Sequence, residues 1–392
     1  MNLFDLILII VMVLGLVRGY HIGFVRQMGS TIGFLCGMLL SAWLIPLTTP
    51  HLVGATSKTM TTFLLLVGSI VVCMLAGEFA TNFIKSRLKN TWAHQIDIVG
   101  GSIVSGITLL FIAWLASSFW LFGPPSKWQD RIQDSFIYAS MSARLPEPTA
   151  ILKRVDTLVE PTKTNEVFTT SEPSPIAKYP KPSLDTFSSI RARTTRSLVK
   201  VQGLGCGGIA TGTGFFIQPN LVATNAHVIA GVTNPKIIMR DGHLYNAQPV
   251  LFNPAYDFVI LRVSRSVVAE PLQVDFTNPQ NGTPLFIPGY PGGGPYKEKT
   301  GVLTETIIAA SKDIYGKAAA NRKVLSMQSH IEHGNSGGPV LDRKGNVVGV
   351  VFATSTTYNN IGYALANEQL AKEFLRAPTA QPIAIPNTCS QE

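Results

Sequence analysis

Three short segments in the second half of the chain carry residue types that together can perform nucleophilic chemistry. His227 ends the segment Thr-Asn-Ala-His, Asp257 opens Asp-Phe-Val-Ile-Leu-Arg-Val, and Ser336 lies within Gly-Asn-Ser-Gly-Gly-Pro. A serine hydroxyl becomes an effective nucleophile only when a base takes its proton. A histidine can act as this base near neutral pH, and a buried carboxylate can orient its ring and stabilise its charged form. The three residues together predict a catalytic triad.

The glycines beside Ser336 predict a sharp turn at the nucleophile. In such a turn the N–H groups of Gly334 and Ser336 can point together and form an oxyanion hole, where each donor is worth about 10²–10³ in rate. Taken singly, each of the three segments also fits a structural role, as a turn or as a packed histidine. Their joint presence in the order His, Asp, Ser indicates catalysis, and this order differs from that of the α/β-hydrolases.

The elements that must position these residues are short strands. From about residue 191 the sequence consists of β-branched runs interrupted by Gly, Pro and Asn, such as SLVKVQG, TGTGFFI, DFVILRV and GNVVGVVF. Many short strands with frequent turns predict an all-β barrel or sandwich. Helical periods are few, and the last expected helix runs from Glu368 to Leu375.

The first third of the chain has the character of a membrane protein. The whole sequence is 46% hydrophobic but only 14% charged, whereas soluble domains carry about 25% charged residues. This composition excludes a wholly soluble protein and one that is disordered throughout. Windows of about 20 apolar residues, the length that spans a bilayer, lie near residues 3–20, 28–48, 60–81 and 99–121. Their many glycines predict a packed bundle of four transmembrane helices.

Charges in the loops predict how this bundle is oriented. Arg18 and Arg26 follow the first span, and three further basic residues at 85–89 follow the third. The positive-inside rule places these loops in the cytoplasm and everything after residue 121 outside it. The net charge of +9 is therefore interpreted as a bias beside the membrane and not as a nucleic-acid surface. Asp5 and Glu78, at or near membrane depth, are candidate functional groups.

The segment 122–190 connects the two parts. Gln129 to Met141 predicts a short amphipathic helix on the membrane surface, with Ile132, Phe136 and Ile137 on one side. Thr157 to Ser189 is rich in Pro, Ser, Thr and Lys, which is typical of a flexible linker. The expected domains are 1–121, 122–190 and 191–392.

These motifs resemble those of known families. Residues 200–370 resemble trypsin/chymotrypsin-type serine endopeptidases through TNAHV, DFVILRV and GNSGGPV. Residues 1–121 resemble the colicin V production family through Asp5, RGYHIGF and IDIVGG. The combination resembles the actinobacterial periplasmic acid-resistance membrane serine proteases, which the PGYPGGGP and DIYG segments and Cys389 also match.

The resemblance implies an architecture and a role. It implies a chymotrypsin-like double β-barrel of six strands each, with the triad in the cleft between them. It also implies a function in cell-envelope homeostasis under acid or oxidative stress, through the processing of wall-remodelling enzymes.

The four cysteines divide into two pairs. Cys36 and Cys73 fall within expected spans, where cysteine is most often a small packing residue. Cys206 and Cys389 fall in the part expected outside the cytoplasm, where disulfides persist. A bond between them would attach the C-terminal tail to the first barrel, and two unpaired thiols are the alternative. Our hypothesis is that oxidation locks the protease domain in its active shape.

Two features depart from the digestive proteases. Asn335 stands where those enzymes carry an Asp that pairs with a newly formed N-terminus, so activation by N-terminal insertion is not expected. Without such a requirement the domain would be active while tethered, and self-cleavage within residues 157–189 is predicted.

The specificity pocket is expected to involve His333, Phe352, Ala353 and Gly362. No acidic residue maps to its floor, so the pocket would favour apolar or small side chains and not Lys or Arg. His330 and His333 lie just before the nucleophile. They are either ordinary surface histidines or sensors that titrate near pH 6.5.

The sequence thus favours a membrane-anchored serine endopeptidase that acts outside the cytoplasm, in the periplasmic space or on the cell-wall side. Its expected partners are envelope proteins or peptides and the lipid membrane. Phosphate-binding glycine motifs and metal-ligand spacings are absent from usable contexts, so no cofactor and no metal site are expected. The alternative is a membrane scaffold or transport component whose protease-like domain only binds partners. A housekeeping protease with a peptide-binding module is disfavoured because only about 15 residues follow the expected C-terminal helix.

Overall fold

A computed structural model of the protein describes residues 2–48, 65, 68–81, 91–121, 127–145 and 179–390, apart from 207, 265, 266, 268, 356 and 359. The chain forms two compact units. A helical unit comprises Met1–Ser117 with Asp134–Tyr138, and a second unit comprises Ser118–Gln133 with Ala139–Glu392.

The first part of the chain is helical. Its helices are α1 (Leu3–Ile22), α2 (Phe24–Thr48), α3 (Gly68–Thr81) and α4 (Thr91–Leu121). Helix α1 and residues His94–Ser118 of α4 are long and apolar enough to cross a membrane, with mean hydropathies of 2.2 and 2.1, whereas α3 is apolar but shorter. Of the expected span at 60–81, only residues 65 and 68–81 are among the described residues.

Glycines allow the helices of this unit to approach closely. A methyl group on Gly19 of α1 would overlap the carbonyl of Gly101 on α4. In the same way, a methyl group on Gly77 of α3 would overlap the carbonyl of Gly29 on α2. The lack of side chains at these glycines therefore permits the close approach of α1 to α4 and of α2 to α3.

The second unit is rich in β-structure, as the pattern of short strands predicted. Its first group of strands is β1 (Leu198–Gly205), β2 (Gly208–Gln218), β3 (Leu221–Thr224), β4 (Lys236–Ile238), β5 (Leu244–Asn253) and β6 (Phe258–Val263). They close on themselves in the order β1-β2-β3-β6-β5-β4, with antiparallel neighbours.

A second group of strands follows along the chain. It contains β7 (Pro284–Gly289), β8 (Lys297–Lys312), β9 (Ala319–Gln328), β10 (Pro339–Leu341), β11 (Val347–Thr354) and β12 (Ile361–Ala366). They also close, in the order β10-β11-β12-β9-β8-β7. Each closed group has an apolar cluster of its own. A third and larger cluster draws Phe215 and Phe258 from the first barrel and Phe286 and Phe352 from the second, so the two barrels share a core.

The segments between the two parts differ from the expectation in two respects. The predicted helix over Gln129–Met141 is two helices, α5 (Lys127–Gln133) and α6 (Phe136–Ser142). The interruption has a physical cause, because the Ser135 hydroxyl accepts a hydrogen bond from the Tyr138 N–H at 3.1 Å and caps α6. Ile132 is buried while Phe136 is 77% exposed, so these residues do not form the single apolar face that was predicted.

The predicted flexible linker also ends earlier than expected. Residues 146–178 lie outside the described part of the chain, but residues 179–187 pack on the second barrel. The Thr300 hydroxyl donates to the Pro182 carbonyl at 2.8 Å, and the Phe187 ring stacks on Phe286 with ring centroids 5.4 Å apart. Apolar burial of Phe187 therefore orders the end of this segment before α7 (Ser188–Ser197) begins. After β12 the chain forms α8 (Asn367–Arg376), close to where a helix was expected.

Candidate active site

His227 and Asp257 are held together by two hydrogen bonds. His227 Nδ1 lies 2.7 Å from Asp257 Oδ2, and the His227 backbone N–H donates to Asp257 Oδ1 at 2.9 Å. A carboxylate oxygen can only accept, so Nδ1 carries the proton and Nε2 is left as the basic nitrogen of the ring. The Asp257 side chain is fully buried and the His227 side chain is 15% exposed. The acid is thus shielded from water while the base faces it.

Paired strands bring these two residues together. His227 follows β3 and Asp257 immediately precedes β6, and β3 and β6 are antiparallel neighbours in which Thr224 pairs with Val259. Asp257 has a φ of 52°, an unusual conformation for a residue with a side chain. Its carbonyl accepts a hydrogen bond from Asn225 Nδ2 at 2.8 Å. This bond ties the acid to the loop that carries the base.

Ser336 lies on a tight turn that packs against the first barrel. Gly334 and Gly337 have φ values of 88° and 81°, which glycine adopts readily. A methyl group on Gly337 would overlap the Thr224 hydroxyl and the Thr213 carbonyl. The Thr213 N–H donates to the Ser336 carbonyl at 2.8 Å. The turn of the second barrel therefore contacts β2 at Thr213 and β3 at Thr224. Thr224 is three residues before His227.

The peptide between His333 and Gly334 is oriented by a neighbouring loop. The Gly292 N–H donates to the His333 carbonyl at 2.6 Å. In a trans peptide the C=O and the next N–H point in opposite directions, so the Gly334 N–H points away from that loop. Within the described part of the chain, neither Gly334 nor Ser336 uses its N–H in a backbone hydrogen bond. The arrangement therefore leaves both N–H groups outside the backbone hydrogen bonds of the described residues.

Thr213 is a residue whose importance the sequence did not reveal. It is fully buried, and its hydroxyl donates to the Gly334 carbonyl at 2.6 Å and accepts from the Tyr290 N–H at 3.0 Å. One side chain thus joins the nucleophile turn to the loop that orients it. The only signal in the sequence was a threonine between two glycines in TGTGFF, which also fits an ordinary strand.

Asn335, the residue that distinguishes this chain from the digestive enzymes, is part of the turn itself. Its N–H donates to the Glu332 carbonyl at 3.0 Å, and its carbonyl accepts from the Gly338 N–H at 2.9 Å. The side chain is 2% exposed. Among the described residues its Oδ1 has no hydrogen-bond partner.

The residues expected in the specificity pocket occupy two different environments. Phe352 and Ala353 are buried on β11, and Gly362 is buried on the neighbouring strand β12. A methyl group on Gly362 would overlap the side chain of Ile331, which is buried against it. His333 is exposed on the turn before Gly334. Phe352, Ala353 and Gly362 are therefore buried apolar or small residues, whereas His333 is exposed.

Charged groups flank the start of this turn. Lys299 Nζ lies 2.6 Å from Glu332 Oε1, and His330 Nε2 lies 3.5 Å from the same oxygen. The hydrogen bond from Lys299 holds the pKa of Glu332 below its ordinary value. His330 is well exposed, with 60% of its side chain accessible.

Cys206 and Cys389 form a disulfide bond across 183 positions of sequence. The bond lies over Gly231, where a methyl group would overlap the Cys206 sulfur. Gly231 is four residues after His227, so the tail is attached next to the loop of the base. The other two cysteines, Cys36 and Cys73, are free.

The acidic residues of the helical unit have structural partners. Asp5 is buried and forms a capping box with Asn2 at the start of α1. Its Oδ1 also accepts from the Ser135 hydroxyl at 2.6 Å and from the Ile137 N–H at 3.2 Å. Asp5 therefore caps two helices at once.

Two further carboxylates of this unit also accept hydrogen bonds from a neighbouring helix. Glu78 on α3 accepts hydrogen bonds from Ser30 at 2.7 Å and from Arg26 at 3.1 Å, both on α2. Asp97, which the sequence analysis did not single out, is buried and accepts from the Val25 N–H in the first turn of α2 at 2.8 Å. In the sequence, the signal that could have identified Asp97 was its position in the IDIVGG segment.

Comparisons with known proteins match both parts of the chain. The family described as colicin V production protein matches residues 4–146, and the trypsin-like peptidase domain matches residues 212–350.

Individual relatives match over nearly the whole length. Serine protease MT3772 of Mycobacterium tuberculosis (strain CDC 1551 / Oshkosh) and serine protease Rv3671c of the same species (strain ATCC 25618 / H37Rv) are each 29% identical, over 97% of this chain and 96% of the relative. A crystal structure of the active form of the Rv3671c protease is 30% identical with a TM-score of 0.52, covering 57% of this chain and 99% of that one. The chain therefore belongs to the family of serine proteases in which a colicin V production domain precedes a trypsin-like peptidase domain.

Proposed function

We propose that this protein is a membrane-anchored endopeptidase that hydrolyses peptide bonds outside the cytoplasm through His227, Asp257 and Ser336. The observation that carries the proposal is the doubly hydrogen-bonded pair of His227 with the fully buried Asp257. This arrangement fixes the tautomer in which Nε2 can accept a proton, as a serine nucleophile requires.

Acylation follows from this geometry. As Ser336 Oγ attacks the carbonyl carbon of the scissile peptide, its proton passes to His227 Nε2. The carbonyl oxygen becomes an oxyanion that accepts hydrogen bonds from the N–H groups of Gly334 and Ser336. His227 then protonates the leaving amine, the C–N bond breaks, and an acyl ester remains on Ser336. Asp257 stays ionised throughout and stabilises the imidazolium.

Deacylation reverses these roles with water as the nucleophile. His227 takes a proton from water, and the resulting hydroxide attacks the ester carbon. The oxyanion forms again at the same two N–H groups. Collapse of the intermediate returns the proton to Ser336 Oγ and releases the new carboxyl end of the substrate.

The architecture we assign is a four-helix membrane domain followed along the chain by a chymotrypsin-like double barrel. Two closed groups of six antiparallel strands support the double barrel. The helices α1 to α4 and their glycine contacts support the membrane domain. The loop charges support an extracytoplasmic protease domain, and a disulfide within that domain suits an oxidising compartment. An impermeant thiol reagent should label Lys344→Cys in intact cells, whereas labelling only after lysis would contradict this orientation.

The primary pocket we assign has Phe352, Ala353 and Gly362 in its wall and His333 at its rim. Burial of apolar and small residues supports cleavage after apolar or small side chains. We further propose self-cleavage of the tether. Because residues 179–187 are bound to the second barrel, the cleaved bond would lie within 157–178. Purified wild-type and Ser336→Ala proteins that both remain full length would contradict it.

The biological role we propose is cell-envelope homeostasis under acid or oxidative stress, with envelope proteins or peptides as substrates. The resemblance of both domains to the acid-resistance membrane proteases supports it. A strain that lacks this protein should lose viability at acid pH and regain it with the wild-type chain. Equal rescue by Ser336→Ala would contradict a proteolytic role.

The decisive experiment is active-site labelling. The full-length protein in detergent micelles should react with a fluorophosphonate probe, and the Ser336→Ala variant should not. The alternative, a scaffold or transport component with a protease-like binding domain, predicts no reaction in either protein. The buried Asp257 disfavours it, because a binding module gains nothing from a base with an oriented ring.

A further inference from the structure

The turn that carries Asp257 is supported by an element of the other barrel. Strands β8 and β9 form a long antiparallel hairpin, whose tip lies at residues 313–318. Ile314 in this tip is fully buried within the apolar cluster of the first barrel. Its N–H donates to the Pro254 carbonyl at 3.2 Å. The hairpin therefore reaches the segment just before Asp257.

A side-chain contact of the hairpin with this segment comes from Arg322 on β9. The residue is 2% exposed. Its Nε donates to the Ala255 carbonyl at 2.9 Å, and its Nη2 donates to the Lys312 carbonyl at 2.9 Å. The guanidinium also lies over the Phe352 ring, 5.7 Å from its centre. A guanidinium is a rigid fork, so contacts on several sides fix its position and that of the carbonyl it binds.

Asp257 needs such support because its backbone is strained. A residue with a side chain persists at a φ of 52° only when its surroundings hold it there. Asn225 holds the Asp257 carbonyl from the first barrel. The two residues before Asp257 are also held. The Tyr256 N–H donates to the Asn253 side chain at 3.0 Å, and the Ala255 carbonyl accepts from Arg322. Arg322 is therefore the side chain through which the second barrel contacts the segment just before the acid.

We propose that Arg322 is a positioning residue of this protease. By holding the Ala255 carbonyl, it keeps the carboxylate of Asp257 where both oxygens meet His227. The same guanidinium packs on Phe352, so it connects the acid turn with the strand that we assign to the specificity pocket. The inference rests on the proposed triad.

The test compares rates of fluorophosphonate labelling of Ser336 in the full-length protein in detergent micelles. Arg322→Met keeps much of the apolar stem and removes every donor, whereas Arg322→Lys keeps the charge and a single donor group. We expect Arg322→Met to label about 10- to 100-fold more slowly than wild type at equal folded fraction, since small misplacements of catalytic groups cost this much. The labelling rate of Arg322→Lys should lie between those of Arg322→Met and wild type.

The chain offers a matched control in Arg262. It also donates to backbone carbonyls, those of Ala377 at 3.4 Å and Pro378 at 3.1 Å, which belong to a C-terminal 3₁₀ turn. Arg262→Met should label at the wild-type rate. Equal slowing of Arg262→Met and Arg322→Met would overturn the inference, because the loss would then be one of general stability.

A second readout separates positioning from stability. The proton on His227 Nδ1, shared with Asp257, should give a far-downfield proton resonance in protein labelled with ¹⁵N-histidine. This signal should weaken or shift in Arg322→Met and persist in Arg262→Met. Wild-type labelling and an unchanged signal in Arg322→Met would overturn the inference and leave the triad intact.

The remaining outcomes are also distinguishable. If Arg322→Met does not accumulate as folded protein, Arg322→Lys alone decides, and a wild-type labelling rate in that variant would contradict the role of Arg322. A wild-type protein that fails to react with the probe would instead contradict the proposed function itself.

Discussion

Both regions of this protein bury aspartates, yet the partners of those aspartates differ. In the helical unit, Asp5 and Asp97 accept hydrogen bonds from backbone N–H groups at helix starts, and Asp5 also accepts one from a serine hydroxyl. In the protease unit, Asp257 accepts from a backbone N–H and from the ring of His227. Amides and hydroxyls do not titrate near neutral pH, whereas an imidazole does. The partner, and not the burial, separates an acid that caps a helix from one that serves a base.

The largest expected effect comes from removing the charge of the acid in each region. Asp257→Asn should lower the rate of fluorophosphonate labelling of Ser336 by about 10⁴, because the ring would then adopt the wrong tautomer. Asp5→Asn should leave this rate within about twofold and should lower only the stability of the helical unit. Labelling rates and thermal unfolding in detergent check both. A comparable loss of labelling in Asp5→Asn would break the distinction between the regions.

The cysteines allow the helical unit and the protease unit to be compared by the free energy of unfolding. Cys206→Ser removes a cross-link that spans 183 positions, which the chain-entropy relation values at up to about 5 kcal/mol of the free energy of unfolding. Cys36→Ser, in the helical unit, should cost much less because Cys36 has no disulfide partner. Denaturant unfolding measures both.

The same variant tests whether oxidation locks the active shape. Labelling of Ser336 should fall in Cys206→Ser and also in wild type treated with reductant. Unchanged labelling in the folded variant would show that the bond adds stability only.

A smaller effect is expected where a hydroxyl joins two loops of the protease unit. Thr213→Val keeps the shape but leaves the Gly334 carbonyl and the Tyr290 N–H without this partner, which should cost about 1–3 kcal/mol of stability and slow labelling. Thr194 is an equally buried threonine, and among the residues that the structure describes its hydroxyl bonds only along its own helix, to the Ile190 carbonyl at 2.9 Å. Thr194→Val should therefore label at the wild-type rate, and slower labelling of this control would contradict a specific role for Thr213.

The smallest expected effect concerns acid pH. The pKa of Glu332 is lowered from its ordinary 4.5 by the hydrogen bond from Lys299. Its contribution to stability is therefore present above pH 4.5 and is lost as the pH falls through the lowered value. Because Glu332 is 42% exposed, solvent screening should keep this contribution below about 1 kcal/mol. His330 and Lys297 also act on this carboxylate.

Unfolding measured from pH 7 to pH 3 in wild type and in Glu332→Gln checks this expectation. The two proteins should differ in stability at neutral pH and converge in acid. A difference in stability that grows in acid would contradict the expectation that the contribution of Glu332 is lost as the pH falls. The pH profile of His333→Ala tests separately whether the histidines before the nucleophile act as sensors.

The comparison also shows where sequence patterns are reliable. The spacing of apolar residues predicted helical spans near 3–20 and 99–121, which lie within α1 and α4. It also predicted short strands from about residue 191, and the first strand begins at Leu198. Both patterns are readable because helix and strand periods are local properties. The single helix expected at Gln129–Met141 was wrong, since the capping group Ser135 divides it. The linker boundary was also wrong, since burial of Phe187 depends on a strand nearly 100 positions later.

By itself, the sequence determined which residues we propose to carry the chemistry and the order in which they occur. A nucleophile between glycines, a histidine after a strand and an aspartate before another can be recognised locally, because turns and strand ends have local signatures. The pairing of Cys206 with Cys389 was predicted and is confirmed. Only the tertiary structure decided the remaining support: the hydroxyl of Thr213 between two loops, and the reach of Arg322 from one barrel to the other. These contacts join residues that become neighbours only when the barrels close, and no local period in the chain encodes that closure.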